Sequence, residues 1–173
     1  MGGASTRMGR DKASLTLGGV ALATRLARLL ETLVEDVLLV GGTPPEDAPG
    51  RRIADVEGPA CSLRGLVSAL AAARAPRLLV IATDLPFVTP ALLLGLVARP
   101  SVQAVVPRRG APCRSGRGVG AEAEATVSSA CAHPLCAVYD VAAALSVARD
   151  QLAAGRLALR ATLDRLQVDF VEG

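Results

Sequence analysis

The segment RLLVIAT (residues 77–83) is a continuous apolar run that stops at Asp84. It is too short for an ordinary helix and lacks the alternating polar positions of a half-exposed strand. Such a run suits a strand covered on both faces, the kind found in parallel sheets flanked by helices. The segments around it supply those helices. Residues 20–33 (VALATRLARLLETL) place Val20, Leu22, Leu26, Leu29, Leu30 and Leu33 largely along one helical stripe. LRGLVSALAAAR (63–74) reads as a second helix. Thr89-Pro90 opens a third, with Thr as the cap and Pro at the first helical position, and it is expected to run to about Arg99.

The other strands are expected at DVLLV (36–40), weakly at Arg52-Ile53-Ala54, and at VQAVVP (102–107), LCAVYD (135–140) and VDFVE (168–172). VAAALSVARDQLAAG (141–155), closed by Gly155, and LALRATLDRL (157–166) complete the helices. Strands alternating with helices imply βαβ units, an α/β fold and a mostly parallel sheet. The 173 residues suit a single domain spanning 1–173. Apolar residues make up 51% and aromatics only 2% (Phe87, Tyr139, Phe170), so the core is aliphatic.

Several function classes are disfavoured. A net charge of +3 is small and dispersed, which argues against nucleic acid as a partner. The most apolar stretch, Leu78 to Ala98, is broken by Asp84, Pro86 and Pro90, so no membrane span is expected. A signal peptide would use Arg7, Arg10 and Lys12 as its basic region and Ala21-Leu22-Ala23 as its cleavage site. Asp11 interrupts that basic region, and Ser14, Thr16, Gly18 and Gly19 dilute the apolar one, so a cytoplasmic location is expected. Cys61, Cys113, Cys131 and Cys136 form no CxxC pair; a zinc site with His133 is disfavoured, and buried or free thiols are the preferred reading. Between Pro107 and His133 the chain is rich in Gly, Arg, Ser and Ala. A long flexible loop is expected at about 108–132, whose Arg108, Arg109, Arg114 and Arg117 offer a weaker reading as anion contacts.

The chemistry concentrates at two places. In parallel α/β sheets, ligands bind beyond the carboxyl ends of strands, where Asp55 and Asp84 fall. Mg²⁺ keeps several waters and takes one or two carboxylates plus substrate phosphates, which Asp84 in its DLPF turn can supply. Asp84 also admits a plainer reading as a turn or helix-capping aspartate, and Asp55 one as an ordinary loop acid. The complementary charge lies in MGGASTRMGRDK (1–12). There Gly2, Gly3 and Gly9 allow backbone N–H groups to approach phosphate oxygens. Of 19 basic residues only Lys12 is a lysine, a compact point charge suited to phosphates, and Arg7 stands beside it.

At these residues the chain resembles the molybdenum cofactor guanylyltransferases of the MobA type. Met1-Gly2-Gly3-Ala4-Ser5-Thr6-Arg7-Met8-Gly9-Arg10-Asp11-Lys12 is similar to that family's L-A-G-G-x-S-x-R-M-G-x-D-K, with Met1 in the alanine's place. Thr83-Asp84-Leu85-Pro86-Phe87 is similar to its C-D-x-P-F strand end. Asp55 with Cys61-Ser62-Leu63-Arg64-Gly65 resembles its acid and G-P-L-x-G turn, and His133-Pro134-Leu135 its later H-P-L strand.

The resemblance implies a three-layer Rossmann-like nucleotidyltransferase fold. It implies a Mg²⁺-dependent enzyme that transfers GMP from GTP to the phosphate of molybdenum-bound molybdopterin, releasing pyrophosphate. Met1, Gly2, Gly3, Lys12, Asp55 and Asp84 would then bind the nucleotide and Asp84 the metal. Arg7, Lys12 and Asp84 would carry the catalysis, with Arg7 at the leaving group. GTP and molybdopterin are the implied partners, with transient contact to molybdoenzyme maturation proteins. The family's first strand precedes the glycine loop, whereas this sequence starts at Met1; the N-x-N-T-P-E-type segment is missing too, and the chain has no asparagine. Two alternatives therefore stay open: a related cytidylyl- or sugar-phosphate nucleotidyltransferase, and a truncated nucleotide-binding homologue without turnover.

Overall fold

The computed structural model describes residues 15–100, 102–108 and 131–172. It opens on a hairpin of two short antiparallel strands, β1 (Thr16–Leu17) and β2 (Val20–Ala21). Gly18 and Gly19 both take positive φ, 61° and 82°, the conformation that two-residue hairpin loops demand. The helical stripe expected from Val20 therefore begins two residues later, as α1 (Leu22–Glu31), with Leu22, Ala23, Leu26 and Ala27 buried.

Next come β3 (Leu38–Val40), β4 (Arg51–Ile53), α2 (Ser62–Ala72), β5 (Arg77–Ile81) and α3 (Pro90–Val97). The Thr89 hydroxyl accepts the Leu92 N–H at 3.3 Å, capping α3 as expected. Then follow β6 (Ala104–Arg108), β7 (Cys136–Asp140), α4 (Val141–Ala153), α5 (Leu159–Leu163) and β8 (Val168–Glu172). Gly155, at φ 69°, ends the α4 segment.

β3 and β4 pair in parallel, and β5, β7, β6 and β8 form a second sheet in that order. β6 and β8 are parallel, but β7 runs antiparallel to both β5 and β6. The expectation of a mostly parallel sheet is thus modified at β7. A parallel neighbour needs a long crossover across one face of the sheet, whereas β7 follows β6 through the segment that returns to β6's own end. Arg108 and Ala132 pair across that return. Arg108 thus belongs to β6 and Ala132 forms an isolated bridge to it, so both bounds of the expected loop move inward; residues 109–130, with Arg109, Arg114 and Arg117, lie outside the described residues.

Strand alternation divides the core into two layers. Ala104, Val106, Ala137 and Tyr139 point to one face, against Leu63, Leu66, Val67 and Leu70 of α2 and Ala144 and Ala148 of α4. Val105, Cys136 and Val138 point to the other, against Leu93 and Leu96 of α3, with Leu29 and Leu30 of α1 at the margin. Each fully buried leucine here contributes about 1.5–3 kcal/mol by leaving water. The architecture is helix, sheet, helix. Cys61 and Cys136 are free thiols, but Cys131 is disulfide-bonded, which corrects the reading of every cysteine as a free or buried thiol.

Candidate active site

The ends of β3, β4 and β5 can be oriented from their contacts. Arg51, which opens β4, holds Asp36 just before β3 through two bonds of 3.1 and 2.7 Å, and also donates to the Ala72 carbonyl at the end of α2. β5 begins at Arg77, only five residues beyond Ala72. All three strands therefore start at one end, and Asp55 and Asp84 follow β4 and β5 at the other.

Asp55 is held firmly. Its Oδ2 accepts a bond from Arg64 Nη2 at 2.8 Å, and both side chains are only about one-fifth exposed (20% and 21%). Arg64 Nη1 donates to the Gly58 carbonyl at 2.9 Å. Ser68 Oγ accepts the Val56 N–H and donates to the Arg64 carbonyl, both at 2.9 Å, so it fixes the backbone directly after Asp55. Arg64 and Ser68 lie one turn apart on α2, on the side facing the strand ends. Cys61 accepts the Arg64 N–H and caps that helix. Asp55 Oδ1 and Arg64 Nε are buried and have no hydrogen-bond partner among the described residues.

Asp84 is different. It lies on an exposed turn where Leu85 N donates to the Ala82 carbonyl and Val88 N to the Leu85 carbonyl. Thr89 rather than Asp84 caps α3, so of the plainer reading the capping half fails and the turn half stands. Phe87, three residues on, is 78% exposed.

β7 brings a third element to this end. Ala82 N donates to the Leu135 carbonyl at 2.7 Å, and His133 N to the Pro107 carbonyl at 3.0 Å. The buried Tyr139 hydroxyl donates to the Pro134 carbonyl at 2.7 Å, fastening the His133-Pro134-Leu135 turn; burial pushes its phenol pKa up. Arg108 ends β6 beside them but is committed to Glu172 at 2.8 Å and to the Phe170 ring at 5.6 Å. That makes it a structural cation rather than an anion contact.

Of the residues expected at the site, the structure brings Asp55 and Asp84 to one end of the strands. Met1, Gly2, Gly3, Arg7 and Lys12 lie outside the described residues. Sequence reasoning missed Arg64 and Ser68 as partners of the Asp55 turn. The available signal was a polar pair at i and i+4 in an otherwise apolar helix. Among the described residues no cluster of three or more His, Cys, Asp or Glu could hold a metal. Asp55 and Asp84 supply carboxylate oxygens at this end, donors of the kind a hard ion such as Mg²⁺ takes one or two of while keeping its waters.

A family model described as a MobA-like NTP transferase domain matches residues 1–167. The chain belongs to this family. A probable molybdenum cofactor guanylyltransferase of Chloroflexus aggregans is 39% identical over 112 residues, covering 61% of this chain and 54% of the relative. A molybdenum cofactor guanylyltransferase of Xanthomonas euvesicatoria pv. vesicatoria is 41% identical over 98 residues, covering 56% and 50%. The chain thus spans about half the length of the curated relatives it matches. Among solved structures, molybdopterin-guanine dinucleotide biosynthesis protein A of Archaeoglobus fulgidus superposes with a TM-score of 0.71 at 20% identity, over 99% of this chain and 80% of that one. The 2-C-methyl-D-erythritol 4-phosphate cytidylyltransferase of Thermus thermophilus gives 0.65 at 23% identity, over 94% and 83%. At such identities the likeness establishes the three-layer nucleotidyltransferase fold shared by this family.

Proposed function

We propose that the chain transfers GMP from GTP to the phosphate of molybdenum-bound molybdopterin and releases pyrophosphate, with Mg²⁺ as its metal. The observation that carries this reading is the pair of strand-end carboxylates, Asp55 and Asp84, at one end of a MobA-like domain. The names of the curated relatives support the guanine nucleotide and the pterin acceptor. Among the described residues no helix is long and apolar enough to cross a membrane, and a cytoplasmic location is part of the same proposal.

In this reading Asp84, exposed on its turn, holds Mg²⁺ together with waters and the triphosphate. When bound, the ion neutralises charge on the phosphates. Asp55, fixed by Arg64 and Ser68, orients the nucleotide through its second carboxylate oxygen. Met1, Gly2 and Gly3 supply backbone contacts, Lys12 neutralises the phosphates, and Arg7 meets the departing pyrophosphate. The acceptor phosphate is itself the nucleophile, so no side-chain base is needed. Catalysis is positioning and charge stabilisation.

The test is dinucleotide formation from labelled GTP, Mg²⁺ and molybdenum-loaded pterin. Asp84→Ala is expected to lower the rate by on the order of 10²–10³-fold, with the fold retained by circular dichroism. An unchanged product yield removes Asp84 from the metal site. A parallel run with CTP, ATP and UTP separates this reading from a cytidylyltransferase, which would prefer CTP.

A further inference from the structure

The chain uses aromatic side chains sparingly: two phenylalanines, one tyrosine and no tryptophan. Tyr139 is buried, and Phe170 is half-buried beneath the Arg108 guanidinium. Phe87 is the exception. At 78% it is the most exposed large apolar side chain among the described residues, and Leu94, at 52%, comes next.

The turn that carries Phe87 is anchored on both sides of it. Leu85 and Val88 pack into the apolar cluster around Leu93 and Leu96 of α3. The Leu85 N–H donates to the Ala82 carbonyl at 3.2 Å, and the Val88 N–H to the Leu85 carbonyl at 3.4 Å. Pro86 and Pro90 each fix one backbone dihedral, and the Thr89 hydroxyl caps the helix that follows. The ring is thus held outward on a stiff support, so little backbone freedom remains to be lost when a ligand meets it. Single exposed apolar side chains are common on protein surfaces. This one stands at the strand ends, three residues beyond Asp84.

Its place there narrows what it can meet. Asp55 is tethered from α2, on the face of the sheet that α2 and α4 cover. The Phe87 turn packs on α3, which covers the opposite face. In guanylyl transfer the acceptor phosphate reaches the α-phosphorus roughly in line with the departing pyrophosphate and on its far side. A nucleotide held through Asp55 on the α2 face leaves the α3 face open to the acceptor.

We propose that the Phe87 ring is the stacking platform for the fused heteroaromatic ring of the acceptor, the pterin of molybdopterin. This rests on guanylyl transfer being the reaction. A pterin is planar, with hydrogen-bonding groups around its edge and apolar faces. Stacking therefore covers a face and leaves the edge to water or polar partners. Guanine is also a planar fused ring, so GTP is the other source of the same chemistry. A protein partner lying along α3 would need Leu94 and Val97 as well as Phe87. Val97 lies at the far end of that helix, where its carbonyl accepts Arg77 Nη1 at the strand starts.

With only two phenylalanines, the full chain labelled at phenylalanine rings gives an NMR spectrum of two spin systems, and Phe170 serves as the internal reference. A soluble pterin monophosphate should shift the Phe87 ring signals upfield through its ring current and leave those of Phe170 in place. GTP with Mg²⁺ should shift neither upfield. In the dinucleotide assay Phe87→Ala should raise the KM for molybdenum-loaded pterin about tenfold. The KM for GTP and kcat should stay within about twofold. Phe87→Tyr, which keeps the ring, should recover most of that loss. The thermal midpoint of Phe87→Ala should stay within roughly 2 °C of wild type, since the side chain is exposed. An unchanged acceptor KM, or upfield shifts with GTP and none with the pterin, overturns the proposal. So does an equal rise in acceptor KM for Leu94→Ala, which would make the effect that of a general apolar face. If wild type forms no dinucleotide, guanylyl transfer fails by itself and the ring signals still decide: shifts with the pterin keep the platform, and their absence removes it.

Discussion

The two sheets of this domain are stabilised differently. In the four-stranded sheet, the central strands β6 and β7 are buried over four of their five residues, and Leu93 and Leu96 of α3 beneath them are fully buried. In the β3–β4 pair, all three residues of β3 and two of β4 are only half-buried, and what holds the pair is polar: Arg51 on Asp36, Arg64 on Asp55, Ser68 on Val56. A strand with neighbours on both edges and helices on both faces gains its stability from area removed from water. A half-buried strand gains less and relies on directed bonds. The difference separates area-driven from bond-driven stability, and the tethered Asp55 carboxylate lies in the lightly packed half.

The largest expected effect breaks the comparison on its apolar side. Leu93→Ala removes a fully buried side chain from a packed layer and should cost about 3–4 kcal/mol, transfer and cavity terms together. Leu39→Ala, a half-buried residue of β3, should cost about 1 kcal/mol. Urea denaturation of both variants measures the pair. Equal losses would mean that β3 is as tightly packed as the four-stranded sheet.

How much of this was legible in the sequence follows the same division. The runs at 77–81 and 136–140, and the Thr89-Pro90 start, were readable because apolar side chains on both faces and helix capping write themselves locally, although in β5 only Val80 is buried and the other four residues are half-buried. The strand-end positions of Asp55 and Asp84 were readable for the same reason. The Thr16–Ala21 hairpin was not, since its two-residue strands leave no period and Val20 also suits the helical stripe that follows. The reversed direction of β7 depends on how β6 is connected to it, which periodicity does not report. The Arg64–Asp55 pair joins residues nine apart across a helix start, so it becomes visible only once α2 is placed over β4.

The next effect tests the polar side. Arg64→Ala leaves Asp55 at about one-fifth exposure without its Arg64 partner and releases the Gly58 carbonyl. A loss of about 1–2 kcal/mol is expected, below the cost of breaking a fully buried pair because water reaches both groups. Arg108→Ala, in the other sheet, removes a pair whose Glu172 is 65% exposed and should cost under about 1 kcal/mol. Thermal unfolding ranks the two, at roughly 2–4 °C per kcal/mol for a chain of this length. If Arg108→Ala proved the more damaging, the assignment of polar tethering to the β3–β4 half would be reversed.

The smallest effect lies at the strand starts and is read by pH. The hydrogen bonds from Arg51 hold the Asp36 carboxyl below its ordinary value, and the charges of Arg51 and Arg74 act in the same direction against the opposing effect of desolvation. A carboxyl with a depressed folded pKa stabilises fully above its unfolded value of about 4, and that stabilisation disappears as pH falls through the folded value. Wild type should therefore exceed Asp36→Asn by a small constant margin from pH 5 to 8, and the margin should shrink below about pH 4. Added salt should narrow it at neutral pH as well, since the pair is near the surface. A margin that persisted unchanged to pH 2 would show that Asn at this position loses packing or geometry rather than charge, and that Arg51 anchors β4 mainly through the Ala72 carbonyl.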